Sequence, residues 1–367
     1  MKKQTRINLL HTESSKGFGG QELRILLEME ALKNYGYDSV LVARENTPIV
    51  DEAKQRDLAC YPISIRSNFD LTAIWKIIKI IKSHQIDIIN CHGSKDSWVA
   101  SIAGRFLGKK IIRARHVANP IKAFPNNLIY TKFCDKIMTT SESIKQGIVD
   151  KGVDAEKIYS IPTGIEVQKF QQQKDEHFRA ENNIPENKKL IGQISVLRGD
   201  KGPDIFLQAA NEVLKKRQDV FFILVGDGRM REKLEQLHNT LEHRDQILLL
   251  GYRRDIPNIY NQLDIKVLSA LQPEGVPQAL LQAHAAKVPI VASDLGGINE
   301  VAIHEQTALL TPAGDVQALA DSIIRLLDNQ ALAEKLSQQG HQLLLEKYSI
   351  EKMLSSMDTL YGSLLKL

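Results

Sequence analysis

At 367 residues the chain is too long for one ordinary hydrophobic core and is typical of two domains. With 43% hydrophobic and 25% charged residues, it can build both a core and a solvated surface. The net charge of +4 is modest, and no run of about 18 apolar residues is present to span a membrane.

The first half alternates short apolar runs with amphipathic stretches. Strands are predicted at 6–10, 38–43, 86–91, 110–115, 134–140 and 157–161. Helices are predicted at 20–35, 70–83, 94–107 and 142–152. Strands rich in Ile and Val, separated by helix-length segments, predict βαβ units and a mostly parallel sheet. The polar stretch 162–188 is the predicted interdomain linker.

The second half restarts the same alternation. Strands are predicted at 189–197, 220–225, 247–250, 265–269, 288–292 and 307–311. Helices are predicted at 203–217, 229–240, 255–262, 276–286, 315–328, 331–346 and about 349–364. The expected fold class is α/β, with two doubly wound domains at 1–165 and 166–346 and a ligand in the cleft between them. A final helix, about 347–367, has no strand to cover in its own domain and is expected to pack back on the first.

The three cysteines, Cys60, Cys91 and Cys134, are widely spaced and form no C-x-x-C pair. This pattern argues against disulfides and a zinc knuckle, and it favours a reducing cytoplasm. The N-terminus also lacks the apolar stretch of a signal peptide. We therefore expect a cytoplasmic protein.

Glycine-rich turns follow several of the predicted strands. Gly17-Phe18-Gly19-Gly20-Gln21-Glu22 follows the first strand and opens a helix, where backbone amides can approach a phosphate or an acceptor oxygen. Later in the chain, Glu274 stands at the mouth of a predicted helix, and Asp294-Leu295-Gly296-Gly297 follows the next strand. A carboxylate accepts hydrogen bonds from hydroxyls, while a glycine turn exposes amides to an anion. The combination suits a hydroxyl-rich ligand that carries phosphates.

Basic side chains lie on the turn after the first strand of the second half, Ser195–Gly202. Arg198 and Lys201 can neutralise a diphosphate leaving group there, and a solvated turn lysine is the alternative. Two further turns end the following strands: Val225-Gly226-Asp227-Gly228 and Leu250-Gly251-Tyr252-Arg253.

In this order the motifs resemble the retaining nucleotide-sugar glycosyltransferases of family 4, over nearly the whole chain. That family lines its donor site with a Glu, seven residues and a second Glu; Glu274 and Gln282 hold those positions here. The family's usual Arg position holds Val196, and Arg198, two residues on, keeps the same face of an extended strand. The variant is similar to a subgroup that acts in bacterial envelope polysaccharide synthesis.

The resemblance implies a GT-B fold of two Rossmann-like domains, with the acceptor domain first. It implies that Lys201 and Arg198 stabilise the leaving group, that Glu274 holds the donor sugar and Gln282 its ribose. His116 falls where the family places a histidine close to the donor sugar; an ordinary cleft histidine is the alternative, and His92 is a weaker second candidate. The other implied donor-binding positions are Gly19, Gly20, Gly226, Tyr252, Arg253, Gly275, Val276, Gly296 and Gly297.

The implied reaction transfers a sugar from a nucleoside diphosphate to a hydroxyl of a glycan or glycolipid acceptor, with retention of configuration. No carboxylate in the sequence can be assigned as a covalent nucleophile. The resemblance implies front-face attack, with the departing phosphate taking the acceptor's proton. The chain contains no Asp-x-Asp triplet, so we expect no metal and no other cofactor. His92 and His116 on adjacent loops could suggest a metal pair, but no carboxylate cluster is expected beside them.

Two other functions use the same fold. A nucleotide-sugar 2-epimerase would need extra acid/base carboxylates, which the sequence does not locate. A non-catalytic partner subunit would explain Val196 and Gln282, while Glu274, Lys201 and the glycine turns argue against it.

The charge is unevenly distributed along the chain. Residues 1–165 carry 25 Lys/Arg and 17 Asp/Glu, a balance of +8, whereas residues 166–367 carry 23 and 27, a balance of −4. An anionic partner, either the inner face of the plasma membrane or a phosphorylated acceptor, and a merely Lys-rich surface explain this equally well. No nucleic-acid partner is expected. Segment 71–82 could lie on a membrane, but a helix with its Ile face in the core is favoured.

Overall fold

Residues 6–117, 127–172 and 174–365 are described by the computed structural model. They form two units: Met1–Thr163 with Met353–Leu367, and Gly164–Lys352. The chain thus crosses between units at 163–164 and again at 352–353. The crossing segments pair with each other, since Ile165 forms a parallel bridge with Ser349.

The first unit contains a seven-stranded parallel sheet in the order β3-β2-β1-β4-β5-β6-β7. Its strands are β1 (Ile7–Glu13), β2 (Tyr37–Ala43), β3 (Cys60–Pro62), β4 (Ile88–Cys91), β5 (Lys110–Arg115), β6 (Lys136–Thr139) and β7 (Ile158–Ser160). Its helices are α1 (Gly20–Leu32), α2 (Pro48–Gln55), α3 (Leu71–Ser83), α4 (Ser94–Phe106), α5 (Leu128–Thr131) and α6 (Glu142–Val149). Both α2 and the edge strand β3 were missed, because neither is long enough to display a period.

Helix α3 buries an apolar face in the core of this unit, as expected. Asp70 caps its N-terminus by accepting from the amide of Ala73 at 3.1 Å. Ile77 and Ile81 are buried, whereas the three lysines of the helix are exposed. One of them, Lys79, lies over the ring of Trp75 at 3.4 Å. An isoleucine stripe at helical spacing therefore packs on the sheet and leaves the lysines in solvent.

The second unit contains a six-stranded parallel sheet in the order β10-β9-β8-β11-β12-β13. Its strands are β8 (Lys189–Ile194), β9 (Val220–Val225), β10 (Ile247–Gly251), β11 (Ile265–Leu268), β12 (Ile290–Ser293) and β13 (Leu309–Thr311). Its helices are α7 (His177–Glu181), α8 (Pro203–Lys216), α9 (Arg231–Thr240), α10 (Ile256–Gln262), α11 (Gln278–Ala285), α12 (Val316–Asp328) and α13 (Gln330–Lys347). Two doubly wound parallel sheets confirm the predicted fold class.

Most of the predicted linker belongs to this second unit, so that prediction is wrong for much of 162–188. Phe170, Phe178 and Ile184 are buried in its core. Arg179 donates to the carbonyls of Pro185 and Lys188, both at 2.9 Å. Three apolar side chains spaced through a polar stretch are enough to anchor it.

The last helix, α14 (Ile350–Leu365), joins the first unit from Met353 onward. The hydroxyl of Tyr37 on β2 donates to Asp358 at 2.5 Å, and the rings of Tyr37 and Tyr361 lie 5.3 Å apart. Met357, Leu360 and Tyr361 are fully buried. No helix within the described ranges is long and apolar enough to cross a membrane.

Candidate active site

Each sheet has one point where the order of its strands reverses, between β1 and β4 in the first unit and between β8 and β11 in the second. Loops that leave such a point at the carboxyl ends of the strands diverge and leave room for a ligand. The loops after β8 and β11 carry Lys201 and Glu274. The loops after β1 and β4 carry Gly19 and His92.

Lys201 and Glu274 form an ion pair across the switch point of the second unit. Only 17% and 20% of their side-chain surfaces are exposed. The second carboxylate oxygen of Glu274, Oε1, is buried and has no hydrogen-bond partner among the described residues. A buried acceptor without a donor is costly, and a ligand hydroxyl would satisfy it.

The backbone around Glu274 is held by the glycine turn after β12. The amide of Gly297 donates to the carbonyl of Glu274 at 3.1 Å. A Cβ on Gly297 would lie 2.6 Å from that oxygen and 2.7 Å from the carbonyl carbon of Gly275, so only glycine permits the approach. Gly296 has a φ of +35°. The structure thus brings Lys201, Glu274, Gly275 and the Gly296–Gly297 turn together, with the amide of Gly297 already engaged.

The helix predicted at 276–286, with Glu274 at its mouth, starts later than expected. It is α11, which carries Gln282 and begins only at Gln278, after the N-cap residue Pro277. The carboxylate stands on the preceding loop, with the buried Val276 between it and the helix. Gln282 is partly buried in the middle of α11. The two side chains are therefore not aligned by helical spacing.

Lys266 on β11 is a buried amine beside this pair. It has no exposed surface, and its Nζ donates to the carbonyls of Val267 at 2.7 Å and Ile194 at 3.5 Å. Burial lowers the pKa of Lys266 to about 7, with the positive charge of Lys201 adding to the shift and Glu274 opposing it. The sequence offered a signal that was overlooked, a lysine inside an otherwise apolar parallel strand.

Arg198 lies on the turn after β8 and is about half exposed. It pairs with Asp200 at 2.9 Å. Gly226 has a φ of +135°, and its amide donates to the carbonyl of Gly251 at 2.8 Å. A side chain at Gly226 would collide with the carbonyl of Ser195, so this glycine supports the loop that carries Arg198.

Tyr252 and Arg253 follow β10 at the same edge of the sheet. Tyr252 is 63% exposed, which is unusual for an aromatic ring without a partner surface. Arg253 donates twice to Asp255, at 2.8 and 2.7 Å, and lies over the ring of Phe178. Its guanidinium is therefore occupied, whereas the Tyr252 ring is accessible.

In the first unit, Gly19 is the N-cap residue of α1 and Gly20 its first residue. The amide of Gly19 donates to the carboxylate of Glu22 at 2.8 Å, so the N3 side chain caps the amide of the N-cap residue. Glu22 also accepts from the hydroxyl of Ser15. The glycine loop is thus organised by its own carboxylate.

Two further carboxylates at this edge were missed from the sequence. Asp96, at the start of α4, accepts from Thr12 at 2.8 Å and from Ser14 at 2.6 Å. Glu13, at the end of β1, accepts from the amide of Ser15 at 2.6 Å. Burial and the negative charge of Asp96 raise the pKa of Glu13 to about 7. Two buried carboxylates, of which Glu13 has a raised pKa, therefore lie at this edge of the first unit.

His116 follows β5 and is hydrogen-bonded to His92, which follows β4. The Nε2 atom of His116 lies 2.9 Å from Nδ1 of His92. The other nitrogen of His92 lies 3.0 Å from Nδ1 of His11 on β1. Glu28 of α1 lies 4.0 Å from His11, so a single carboxylate, rather than a cluster, accompanies these histidines among the described residues. Within the described ranges, His11, Glu28 and His92 are the one group that could hold a metal ion.

Comparison with known proteins places these motifs in a family. Residues 18–169 match the family model described as Glycosyltransferase Family 4, and residues 174–343 match Glycosyl transferases group 1. The UDP-Gal:alpha-D-GlcNAc-diphosphoundecaprenol alpha-1,3-galactosyltransferase of Escherichia coli is 26% identical, and the match covers 97% of each chain.

Solved structures share the fold. A glycosyltransferase from Rickettsia africae superposes with a TM-score of 0.91 at 21% identity, over 98% of this chain and 99% of that one. Anabaena Alr3699/HepE in complex with UDP-glucose superposes with a TM-score of 0.86 at 19% identity, over 98% and 100%. This chain belongs to the glycosyltransferases and is a GT-B enzyme, in which a family 4 module precedes a group 1 module.

Proposed function

We propose that the enzyme transfers a sugar, with retention, from a uridine diphosphate sugar to a hydroxyl of a lipid-linked or polysaccharide acceptor in bacterial envelope synthesis. The observation that carries the proposal is the Lys201–Glu274 pair at the β8/β11 switch point. At that point the cation of Lys201 would contact the diphosphate, and the carboxylate of Glu274 would contact the sugar hydroxyls, as the sequence motifs predict. The UDP-glucose complex of HepE supports the base, and the undecaprenol-linked acceptor in the name of the Escherichia coli relative supports the acceptor class.

The proposed site residues contact two parts of the donor, its diphosphate and its sugar. Lys201, with Arg198 released from Asp200, would stabilise the negative charge that grows on the departing diphosphate. Glu274 would accept from a donor-sugar hydroxyl through Oε1, the atom that lacks a partner. Because cationic side chains neutralise the leaving group, we propose that transfer needs no metal ion.

The first test is a donor panel. The enzyme is incubated with UDP-, GDP- and ADP-sugars and an undecaprenyl-diphosphate-linked sugar, and both the released nucleotide and the lipid product are measured. We expect UDP release coupled to a longer lipid-linked glycan. An epimerised UDP-sugar without acceptor consumption would instead identify the 2-epimerase.

The second test isolates the ion pair. Lys201→Ala should lower turnover by roughly two to three orders of magnitude, the range for removing one preorganised charge stabiliser. Lys216→Ala is the matched control, because Lys216 also forms an ion pair, with Asp321 at 3.1 Å, but on the exposed surface of α8. Equal turnover in the two variants would remove Lys201 from the site.

We also propose that the start of α3 contacts the surface of an anionic membrane. Phe69, Leu71 and Trp75 are 63%, 78% and 56% exposed, next to Lys76 and Lys79. Exposed apolar rings beside lysines suit the surface of an anionic bilayer. We expect Trp75 fluorescence to shift to the blue on vesicles that contain phosphatidylglycerol, and the shift to weaken with salt. The same response to neutral vesicles would contradict an electrostatic contact.

A further inference from the structure

Three histidines, His11 within β1, His92 just after β4 and His116 just after β5, form a continuous hydrogen-bonded row in the first unit. His11 and His92 are 0% and 2% exposed, and His116 is partly buried. The N···N distances are 3.0 Å between His11 and His92 and 2.9 Å between His92 and His116. The ring centroids are 5.3 and 5.2 Å apart, and the ring planes differ by 19° and 24°.

These numbers define how the rings meet. For each pair of rings, the distance between the centroids equals the N···N distance plus the distance from each ring centre to its own bonded nitrogen. The nitrogens therefore lie on the line between centroids, and the rings join edge to edge. Two ligands of one metal ion would instead aim their lone pairs at a common third point. The geometry is that of two linear N–H···N hydrogen bonds.

The row is neutral at physiological pH. Burial lowers the pKa of His11 to about 4. Burial also lowers the pKa values of His92 and His116 well below the usual range, and the cations Arg24 and Arg113 add to both shifts. Each ring therefore carries one proton, and each hydrogen bond needs one donor and one acceptor nitrogen.

Only two proton arrangements satisfy both bonds. In the first, His11 Nδ1 donates to His92 Nε2 and His92 Nδ1 donates to His116 Nε2. The remaining proton of His116 is then on its Nδ1 atom. In the second arrangement every proton moves to the other nitrogen of its ring, and His116 Nδ1 bears a lone pair.

Glu28 favours the first arrangement. Its Oε2 atom lies 4.0 Å from His11 Nδ1 and has no hydrogen-bond partner among the described residues. A nearby carboxylate attracts the ring proton to Nδ1. Glu28 is held in place by Arg24, whose Nε donates to it at 2.5 Å and whose Nη1 donates to the carbonyl of Ile161 at 2.6 Å. The second arrangement would also leave a buried N–H on His11 Nε2, which has no partner there.

We propose that His11 and His92 are positioning residues that fix His116 as a neutral hydrogen-bond donor through Nδ1, and that His116 meets a substrate oxygen as a donor rather than as a base. The second clause rests on the proposed function; the first rests on the histidine row alone. His116 cannot accept a proton from an acceptor hydroxyl through Nε2, because that lone pair is engaged by His92. This agrees with a reaction in which the departing phosphate takes the proton.

The direct test is nitrogen NMR of the full chain labelled with 15N-histidine. Ring nitrogens with a proton and with a lone pair resonate in separate ranges, so the spectrum reports each tautomer. We expect His116 to carry its proton on Nδ1. His304 is an internal reference for the opposite tautomer, because its Nδ1 accepts from the amide of Leu310 at 2.9 Å. A proton on Nε2 of His116 in the wild-type protein would overturn the proposal without any variant.

Variants of His11 test the positioning role. His11→Asn keeps an N–H donor at the place of Nδ1, whereas His11→Leu removes it. We expect His116 to keep its tautomer in His11→Asn and to populate both tautomers in His11→Leu. In a transfer assay His11→Leu should lower kcat about tenfold and His11→Asn should restore most of it; tenfold is the lower end of the range for residues that orient a histidine metal ligand through a hydrogen bond.

The outcomes separate the two hypotheses. If no nucleotide sugar is turned over, the proposed function fails, and the NMR result still decides the histidine row. If turnover is normal in a folded His11→Leu protein, the positioning role is wrong and the function stands. One equivalent of tightly bound zinc in the purified protein, lost in His11→Leu, would show that the histidines bind metal and would overturn the proposal.

Discussion

The carboxyl group of Glu13 allows a quantitative test of how burying an ionisable group changes the stability of the first unit. Burial and the charge of Asp96 raise the pKa of Glu13 from 4.5 to about 7, against the hydrogen bonds from Ser15 and Gln21. The folded unit therefore binds more protons than the unfolded chain between pH 4.5 and 7, and its stability falls as pH rises through that window. Glu13→Gln removes the ionisable group while keeping a carbonyl acceptor.

The size of the effect follows from the shift. A pKa raised from 4.5 to about 7 costs the folded unit at most about 3 kcal/mol, reached above pH 7. The cost is about 1 kcal/mol at pH 5 and about 3 kcal/mol at pH 8, because the unfolded carboxyl ionises first. The stability difference between Glu13→Gln and wild type should therefore grow by about 2 kcal/mol from pH 5 to pH 8.

Both tryptophans, Trp75 and Trp98, lie in the first unit, so fluorescence-monitored denaturant unfolding reports on the right part of the chain. Titrating groups that do not interact with Glu13 are common to both proteins and cancel in the difference, whereas the charges of Asp96 and Glu22 are part of the measured effect, because they help to raise the pKa of Glu13. Glu45→Gln is the matched control, because Glu45 is an exposed glutamate two residues beyond β2. A stability difference that does not change with pH, or one that changes equally in the control, would refute the reasoning.

Four further predictions concern Lys266, Gly297, the metal dependence of transfer and Tyr37. Lys266→Met should stabilise the second unit, and by more at pH 7 than at pH 10, because burial lowers the pKa of Lys266 from 10.5 to about 7. The lysine costs the fold most stability at a pH where this residue is fully protonated in the unfolded chain. Hydrogen exchange of β11 measures the change in stability. Gly297→Ala should weaken UDP-sugar binding about tenfold by displacing the Glu274 carbonyl, as measured by titration calorimetry. Gly147→Ala should leave the affinity unchanged, because the space around Gly147 is open. Transfer should survive EDTA, and a complete loss that Mn²⁺ restores would contradict the metal-free proposal. Tyr37→Phe should destabilise the first unit by about 1–2 kcal/mol in fluorescence-monitored unfolding, through the lost bond to Asp358.

The sequence predicted the sheets well because their strands are buried on both faces and stand out as apolar runs. It missed β3, whose three residues end in Pro62 at the sheet edge. It also started α11 too early, and so placed Glu274 at a helix mouth. The helix begins after Pro277, and a loop governed by Gly297, some twenty residues away, holds the carboxylate instead.

The site was only partly accessible from the sequence, because its contacts join distant segments. Local motifs identified Lys201 and Glu274 separately, but no local pattern predicts their ion pair. The row from His11 to His116 is built by strand order, since β1, β4 and β5 are neighbours in the sheet. Polar residues inside apolar strands, such as His11 and Lys266, were the available signal for buried electrostatics.

The return of α14 to the first unit has a consequence for the order of synthesis. A ribosome makes Tyr37 more than 300 residues before its partner Asp358, with |i−j| = 321. The nascent first unit therefore waits for the whole second unit to emerge before Met357, Leu360 and Tyr361 can cover its sheet. The 189 residues of the second unit take roughly 10–40 s at about 5–20 residues per second, and during that time an apolar face is uncovered and open to chaperones. A fragment that ends at residue 163 would remain permanently in that unfinished state.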